Sequence, residues 1–193
     1  VYPFGYGLSY TTFDVETVSS GVVNSNCTSE ANKLYAKVRV TNTGKFSGKE
    51  VVQVYIAKPQ GKLGKPAKEL AAFEKTRELQ PGESQLMILT WEINDMASYD
   101  DLGKVKKSAY VLEAGSYDIY VGTSVRDVTK ADYSYILNHD VITEQLSAKL
   151  VPTSLPKRML ADGSYEALPQ SEPVDTDYSA IGNIDPSMTE GVA

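Results

Sequence analysis

The sequence predicts an all-β chain folded as an antiparallel β-sandwich of about seven strands. Three observations lead there. In several short runs apolar residues recur at every second position, the period of strands that bury one face. Clusters of Gly, Pro, Asn and Asp separate these runs. No stretch holds apolar residues convincingly at the spacing of an amphipathic helix.

The first run covers 12–18. In 33–41, Leu34, Ala36, Val38 and Val40 share one face while Tyr35, Lys37, Arg39 and Thr41 share the other, and Asn42-Thr43-Gly44 supplies the turn that follows. The run 50–57 aligns Val52, Val54 and Ile56, and another covers 70–79. Gln80-Pro81-Gly82-Glu83 breaks the chain before 85–93, where Met87, Leu89, Trp91 and Ile93 share a face and place Trp91 in the core. Tyr117, Ile119 and Val121 alternate after Ala114-Gly115, and Tyr133, Tyr135 and Leu137 alternate before Asn138. Short strands punctuated this often imply a sandwich of the immunoglobulin or fibronectin type III-like kind. By the same alternation Tyr35, Tyr55 and Tyr120 point outward, which raises the alternative of a carbohydrate-binding module using exposed aromatics. Cross-strand aromatics that only stabilise the sheet are the plainer reading.

With 193 residues, 41% of them apolar, the chain can form one domain with a sizeable core plus extensions. No window approaches the ~20 apolar residues of a membrane span, and no signal layout opens the chain. Because it begins at Val1 without an initiator Met, a longer parent protein is expected. Cys27 is the single cysteine, so no internal disulfide forms, and the expectation leans to a reducing, cytoplasmic location over a secreted one. Asn26-Cys27-Thr28 matches a glycosylation sequon and is read as a chance pattern.

The net charge of −6 is unevenly distributed. Residues 159–193 hold seven acids and no Lys or Arg, giving −7, while the first 158 residues hold 18 acids and 19 bases, giving +1. A neutral body without a basic stripe excludes nucleic acid as an expected partner. Beyond Val141 the alternation decays, and Pro152, Pro156, Pro169, Pro173 and Pro186 interrupt any long element. The Pro-rich acidic C-terminal tail, 151–193, is therefore expected to be a linker or extended arm.

Residues 2–13 read YPFGYGLSYTTF, a stiff aromatic turn punctuated by Pro3, Gly5 and Gly7 that gives way to the β pattern near Tyr10. This turn and the β pattern after it resemble glycoside hydrolase family 3, the β-glucosidases and their relatives. In that family the catalytic α/β sandwich domain ends in a P-F-G-x-G-L-S-Y-T-x-F segment leading into a fibronectin type III-like domain. The segments KPAKEL at 65–70, LQPGE at 79–83, MASYD at 96–100, GSYDIYVG at 115–122 and SVRD at 124–127 are similar to it as well. The resemblance implies three parts: 1–10 as the end of the preceding catalytic domain, 11–150 as the fibronectin type III-like domain, and 151–193 as linker or arm. It implies an accessory domain that docks to and stabilises the catalytic domains of the same polypeptide, whose activity would be hydrolysis of terminal β-D-glucosyl residues from a β-glucoside or oligosaccharide. The extra C-terminal residues favour the permuted order, in which the catalytic barrel follows.

No catalytic residue transfers, because the family's nucleophile and acid/base motifs lie in domains that this sequence does not contain. Asp100-Asp101 is the best local carboxylate pair for glycoside hydrolysis, with a solvated turn as the plainer reading. His139 is the single histidine, and Asp140 beside it in a strand would face the other way. No metal or cofactor is implied: one His and one Cys do not make a zinc site, and Asp175-Thr176-Asp177 lacks the Gly and Glu of a calcium loop. Tyr2, Phe4 and Tyr6 are read as an interdomain plug, or as support behind the sugar cleft. The long connection 58–70, KPQGKLGKPAKEL, is read as an interface or gating loop through Lys58, Lys62, Lys65, Pro66, Lys68, Glu69 and Leu70, with a local excess of positive charge. As a solvated connection, 58–64 should be replaceable at a small closure-entropy cost.

Overall fold

The computed structural model describes residues 2–23, 32–147, 157–160 and 162–167. The chain divides into two units, Val1–Gln145 and Leu146–Ala193. The sequon, the Asp175-Thr176-Asp177 segment and most of the acidic tail lie outside the described residues.

Among its described residues the first unit holds β1 (Phe13–Val22), β2 (Lys33–Asn42), β3 (Val51–Ala57), β4 (Glu69–Lys75), β5 (Ser84–Glu92), a 3-10 turn (Asn94–Met96), β6 (Ser98–Asp100), β7 (Ala109–Leu112), β8 (Gly115–Gly122), β9 (Val128–Leu137) and β10 (Val141–Gln145). The seven runs read from the sequence correspond to the seven strands of the two main sheets, ordered β1-β2-β5 and β4-β3-β8-β9. Every pairing is antiparallel, and the register puts matching faces together: Leu34 opposite Trp91, Ala36 opposite Leu89 and Val38 opposite Met87 in one sheet. Val54 opposite Val121 and Ile56 opposite Ile119 do the same in the other. These residues form the buried core, with Trp91 inside it. Such an assembly of inward faces is what a period-two pattern requires.

The third sheet, β10-β7-β6, escapes the sequence pattern. Strands β6 and β7 are three and four residues long, and β10 carries a register shift between Ile142 and Glu144, so none shows a usable period. Where β8 begins, the Tyr117 hydroxyl donates to the Glu113 carbonyl at 2.9 Å, a tyrosine corner of the kind found in immunoglobulin-like sandwiches. Burial pushes the Tyr117 hydroxyl pKa up, and the Glu113 charge adds to that.

Asn42 closes the first long turn from inside. Its carboxamide oxygen accepts from Thr11 Oγ1 at 2.8 Å and Gly44 N at 3.0 Å, and its Nδ2 donates to the Phe46 and Leu79 carbonyls, each at 2.8 Å. A turn-type Asn thus becomes a fully satisfied buried amide.

Within the second unit, β11 (Lys157–Met159) and β12 (Tyr165–Ala167) form an antiparallel hairpin. Arg158 pairs with Glu166, and Asp162 accepts from the Ser164 amide at 2.9 Å in the turn. The sequence reading placed no regular element there. Three-residue strands leave no period to detect, although Asp162-Gly163 is itself a turn signal.

Candidate functional site

The aromatic turn folds onto the sandwich. Tyr6 N donates to Pro3 O at 3.1 Å, and Gly5 at the third turn position adopts φ +80°, as a type II turn demands. Val125 N donates to Phe4 O at 3.0 Å, tying the turn to the segment after β8. Beneath it the Gln53 carboxamide is fixed by donation to Thr123 O at 2.7 Å and by the Tyr55 hydroxyl, which donates to its oxygen. A Cβ on Gly5 would overlap that carboxamide, so turn and sheet meet without space for a side chain. Tyr2 stacks on Tyr6 with centroids 4.9 Å apart and planes 13° from parallel. Tyr2 is nevertheless 79% exposed, Phe4 66%, Leu8 91% and Tyr10 98%. The backbone is pinned while its apolar side chains face away from the domain.

Tyr55 corrects the outward assignment made from alternation, being 2% exposed. Strand β3 runs between β4 and β8, and Val52, Gln53, Val54, Tyr55 and Ile56 are all buried, so both of its faces are covered. Burial pushes the Tyr55 hydroxyl pKa up. Tyr120 is half-buried and carries Lys68 Nζ 4.8 Å above its ring.

The 58–70 connection is built differently from a solvated basic loop. Lys58 and Lys65 are buried. Lys65 pairs with buried Glu113 and donates to Pro59 O at 2.6 Å. The Glu113 carboxylate also accepts from the amides of Lys62 at 2.5 Å and Leu63 at 3.1 Å. A Cβ on Gly61 would run into that carboxylate, so the loop wraps it with no room to spare. Leu63 packs with Ala109, Val111 and half-buried Val105 against the third sheet. Lys58 pairs with Glu69, and exposed Lys62 pairs with Asp140 at 3.2 Å. The Ala114 amide, and after it Lys62, holds the Asp140 carboxyl below its usual range. The expected excess of positive charge is therefore met by partners inside the domain, and Pro66, Ala67 and Leu70 offer exposed apolar surface along its end.

Asp100 corrects the reading as a solvated turn. Completely buried, it accepts from the amides of Gly103 at 2.7 Å, Lys104 at 3.0 Å, Val105 at 2.7 Å and Lys106 at 2.8 Å. Burial alone would raise its carboxyl pKa, but the four N–H donors together hold it below the usual range. A carboxylate so saturated organises a loop and has no lone pair left for a substrate. His139 is exposed in the turn before β10, while Asp140 is engaged with Ala114 and Lys62. Among the described residues no group of three His, Cys, Asp or Glu is placed to hold a metal.

Sequence reasoning missed Glu113, Gln53 and Asn42, the polar groups that hold these features. The detectable signal at Glu113 was an acid set between the apolar Val111-Leu112 pair and Ala114-Gly115.

Residues 50–125 match the family model of the fibronectin type III-like domain. β-Glucosidase A of Butyrivibrio fibrisolvens is 58% identical over 93% of this chain and 22% of its own length. A β-glucosidase of Ruminococcus albus is 42% identical over 89% of this chain and 18% of its own. The crystal structure of a β-glucosidase from Paenibacillus barengoltzii superposes with a TM-score of 0.79 and 40% identity over 95% of this chain and 21% of that one. The chain thus spans about a fifth of the length of the relatives it matches. The two-sheet order, the tyrosine corner and these likenesses converge on one placement: the chain belongs to glycoside hydrolase family 3, in the part that carries the fibronectin type III-like domain.

Proposed function

We propose that this domain docks to and stabilises the catalytic domains of a β-glucosidase carried on the same polypeptide, which hydrolyses terminal β-D-glucosyl residues. The observation that carries the reading is the aromatic turn, whose backbone is hydrogen-bonded to Val125 after β8 and fits closely on Gln53 of β3 while Tyr2, Phe4, Leu8 and Tyr10 are exposed. Apolar side chains presented on a rigid support are an unpartnered contact. In this reading residues 1–10 close the preceding catalytic domain, and the turn plugs into it. Pro66 and Leu70, at the end of the loop anchored by Glu113, form a second contact. Residues 151–193 lead on toward a further domain, in keeping with likeness to the Butyrivibrio and Paenibacillus proteins over nearly the whole chain.

The domain brings no catalytic group of its own, since its best carboxylate, Asp100, is consumed by loop amides. The purified chain is expected to match a buffer blank on an aryl β-glucoside, whereas the full-length product of its gene hydrolyses it. Turnover by the chain alone, lost on Asp101→Asn, would overturn the reading, as would a parent gene encoding no catalytic domain beside this segment.

A further inference from the structure

A groove lies between the 3-10 turn and the third sheet. It encloses about 330 Å³ and is lined by Asn94, Asp95, Ala97, Tyr110, Thr143 and Glu144. Across the sheet Tyr110 stands opposite Tyr99 on β6 and Glu144 on β10. The two tyrosine rings lie 5.5 Å apart, tilted by 57°, and are 39% and 38% exposed. The register shift between Ile142 and Glu144 leaves Thr143 without a ladder partner, and its hydroxyl donates back to Tyr110 O at 3.3 Å. Bulges of this kind redirect side chains beside binding sites.

The polar side chains here differ from the acids that organise the loops. Asp100, Glu113 and Asp140 are each engaged by backbone amides. Among the described residues, Asn94, Asp95 and Glu144 have no hydrogen-bond or ion-pair partner for their side chains. An exposed amide and two exposed carboxylates thus line the groove together with a tyrosine ring. A ligand for this groove must present a flat apolar face together with several hydroxyl donors. A pyranose does both, stacking its C–H face on the ring and donating hydroxyls to carboxylates. The volume lies at the lower end for small-ligand sites, the scale of one or two sugar units.

We infer that the groove is a non-catalytic binding site for a short oligosaccharide, with Tyr110 as the stacking platform and Asn94, Asp95 and Glu144 as hydroxyl partners. The choice of a sugar follows from the groove, while the choice of β-linked glucosyl units rests on the functional reading above. The test is an NMR titration of the ¹⁵N-labelled chain with cellotetraose, xylotetraose and calcium chloride in separate arms. Cellotetraose should shift the amides of Asn94, Asp95, Tyr110 and Glu144 and saturate with a Kd of about 1 mM or tighter. Tyr110→Ala should weaken binding by about tenfold or more, Tyr110→Phe should keep most of it, and Asp95→Asn, outside the strands, should weaken it severalfold without touching the sheet. Binding of xylotetraose in place of cellotetraose supports the sugar site and counts against the β-glucosidase reading, so the two failures separate. The proposal is overturned if neither oligosaccharide shifts these amides, if Tyr110→Ala with a native-like spectrum binds as well as wild type, or if calcium alone reproduces the shifts.

Discussion

Glu113 sits between Leu112 and Ala114 with its carboxylate closed off from solvent, and the cation that offsets it is Lys65, whose side chain is 1% exposed. Removing either partner strands the other charge, so Glu113→Ala should cost about 3–5 kcal/mol in a denaturant titration. Replacing both, as Glu113→Leu with Lys65→Met, should cost less than Glu113→Ala alone, because no buried charge is then left unpaired. Trp91→Ala in the core should cost about 3–5 kcal/mol; a loss below about 1 kcal/mol would place Trp91 outside the core. Asp100 gives the domain an acid limit. Its folded pKa lies below the unfolded value near 3.9, so the unfolded state binds the proton first as pH falls. The stability it contributes is present above about pH 4 and is lost as pH drops through that value toward the folded pKa. Asp100→Asn should flatten this part of the pH–stability curve; an unchanged curve would remove Asp100 from the acid transition.

At the scale of elements, strands such as 33–41 and 85–93 were legible because each keeps its period long enough to show a buried face. Strands β6, β7 and β10 were not, being short or bulged, and the function of the 58–70 loop was obscured for a related reason. Its lysines look solvated in one dimension, whereas their partners Glu113 and Asp140 lie far along the chain and are brought in only by the third sheet. The aromatic turn could be located from sequence, but its attachment to Gln53 and Val125 depends on tertiary contact alone. The structure also reverses the expected tolerance of the loop. Replacing 58–64 by a short Gly-Ser turn would remove two amide donors to Glu113 and the buried Leu63, so the isolated domain should lose about 2–5 kcal/mol, the scale of a deleted core leucine. Equal urea midpoints and slopes for the two forms would return the loop to the status of a solvated connection.

At the scale of the whole molecule, the aromatic turn presents Tyr2, Phe4, Leu8 and Tyr10 to solvent where a neighbouring domain is expected. If that neighbour covers Phe4 and Tyr10, the same substitutions must act differently in the isolated chain and in the parent enzyme. The direct measurement is the melting temperature of Phe4→Ser with Tyr10→Ser in both contexts. The isolated chain should melt within about 1 °C of wild type, because both side chains are already in solvent. The full-length enzyme should show its domain transition lowered by about 4 °C or more, the shift expected for a loss of roughly 2 kcal/mol. An unchanged parent, or an equal shift in both, would contradict the account of the turn as the docking plug.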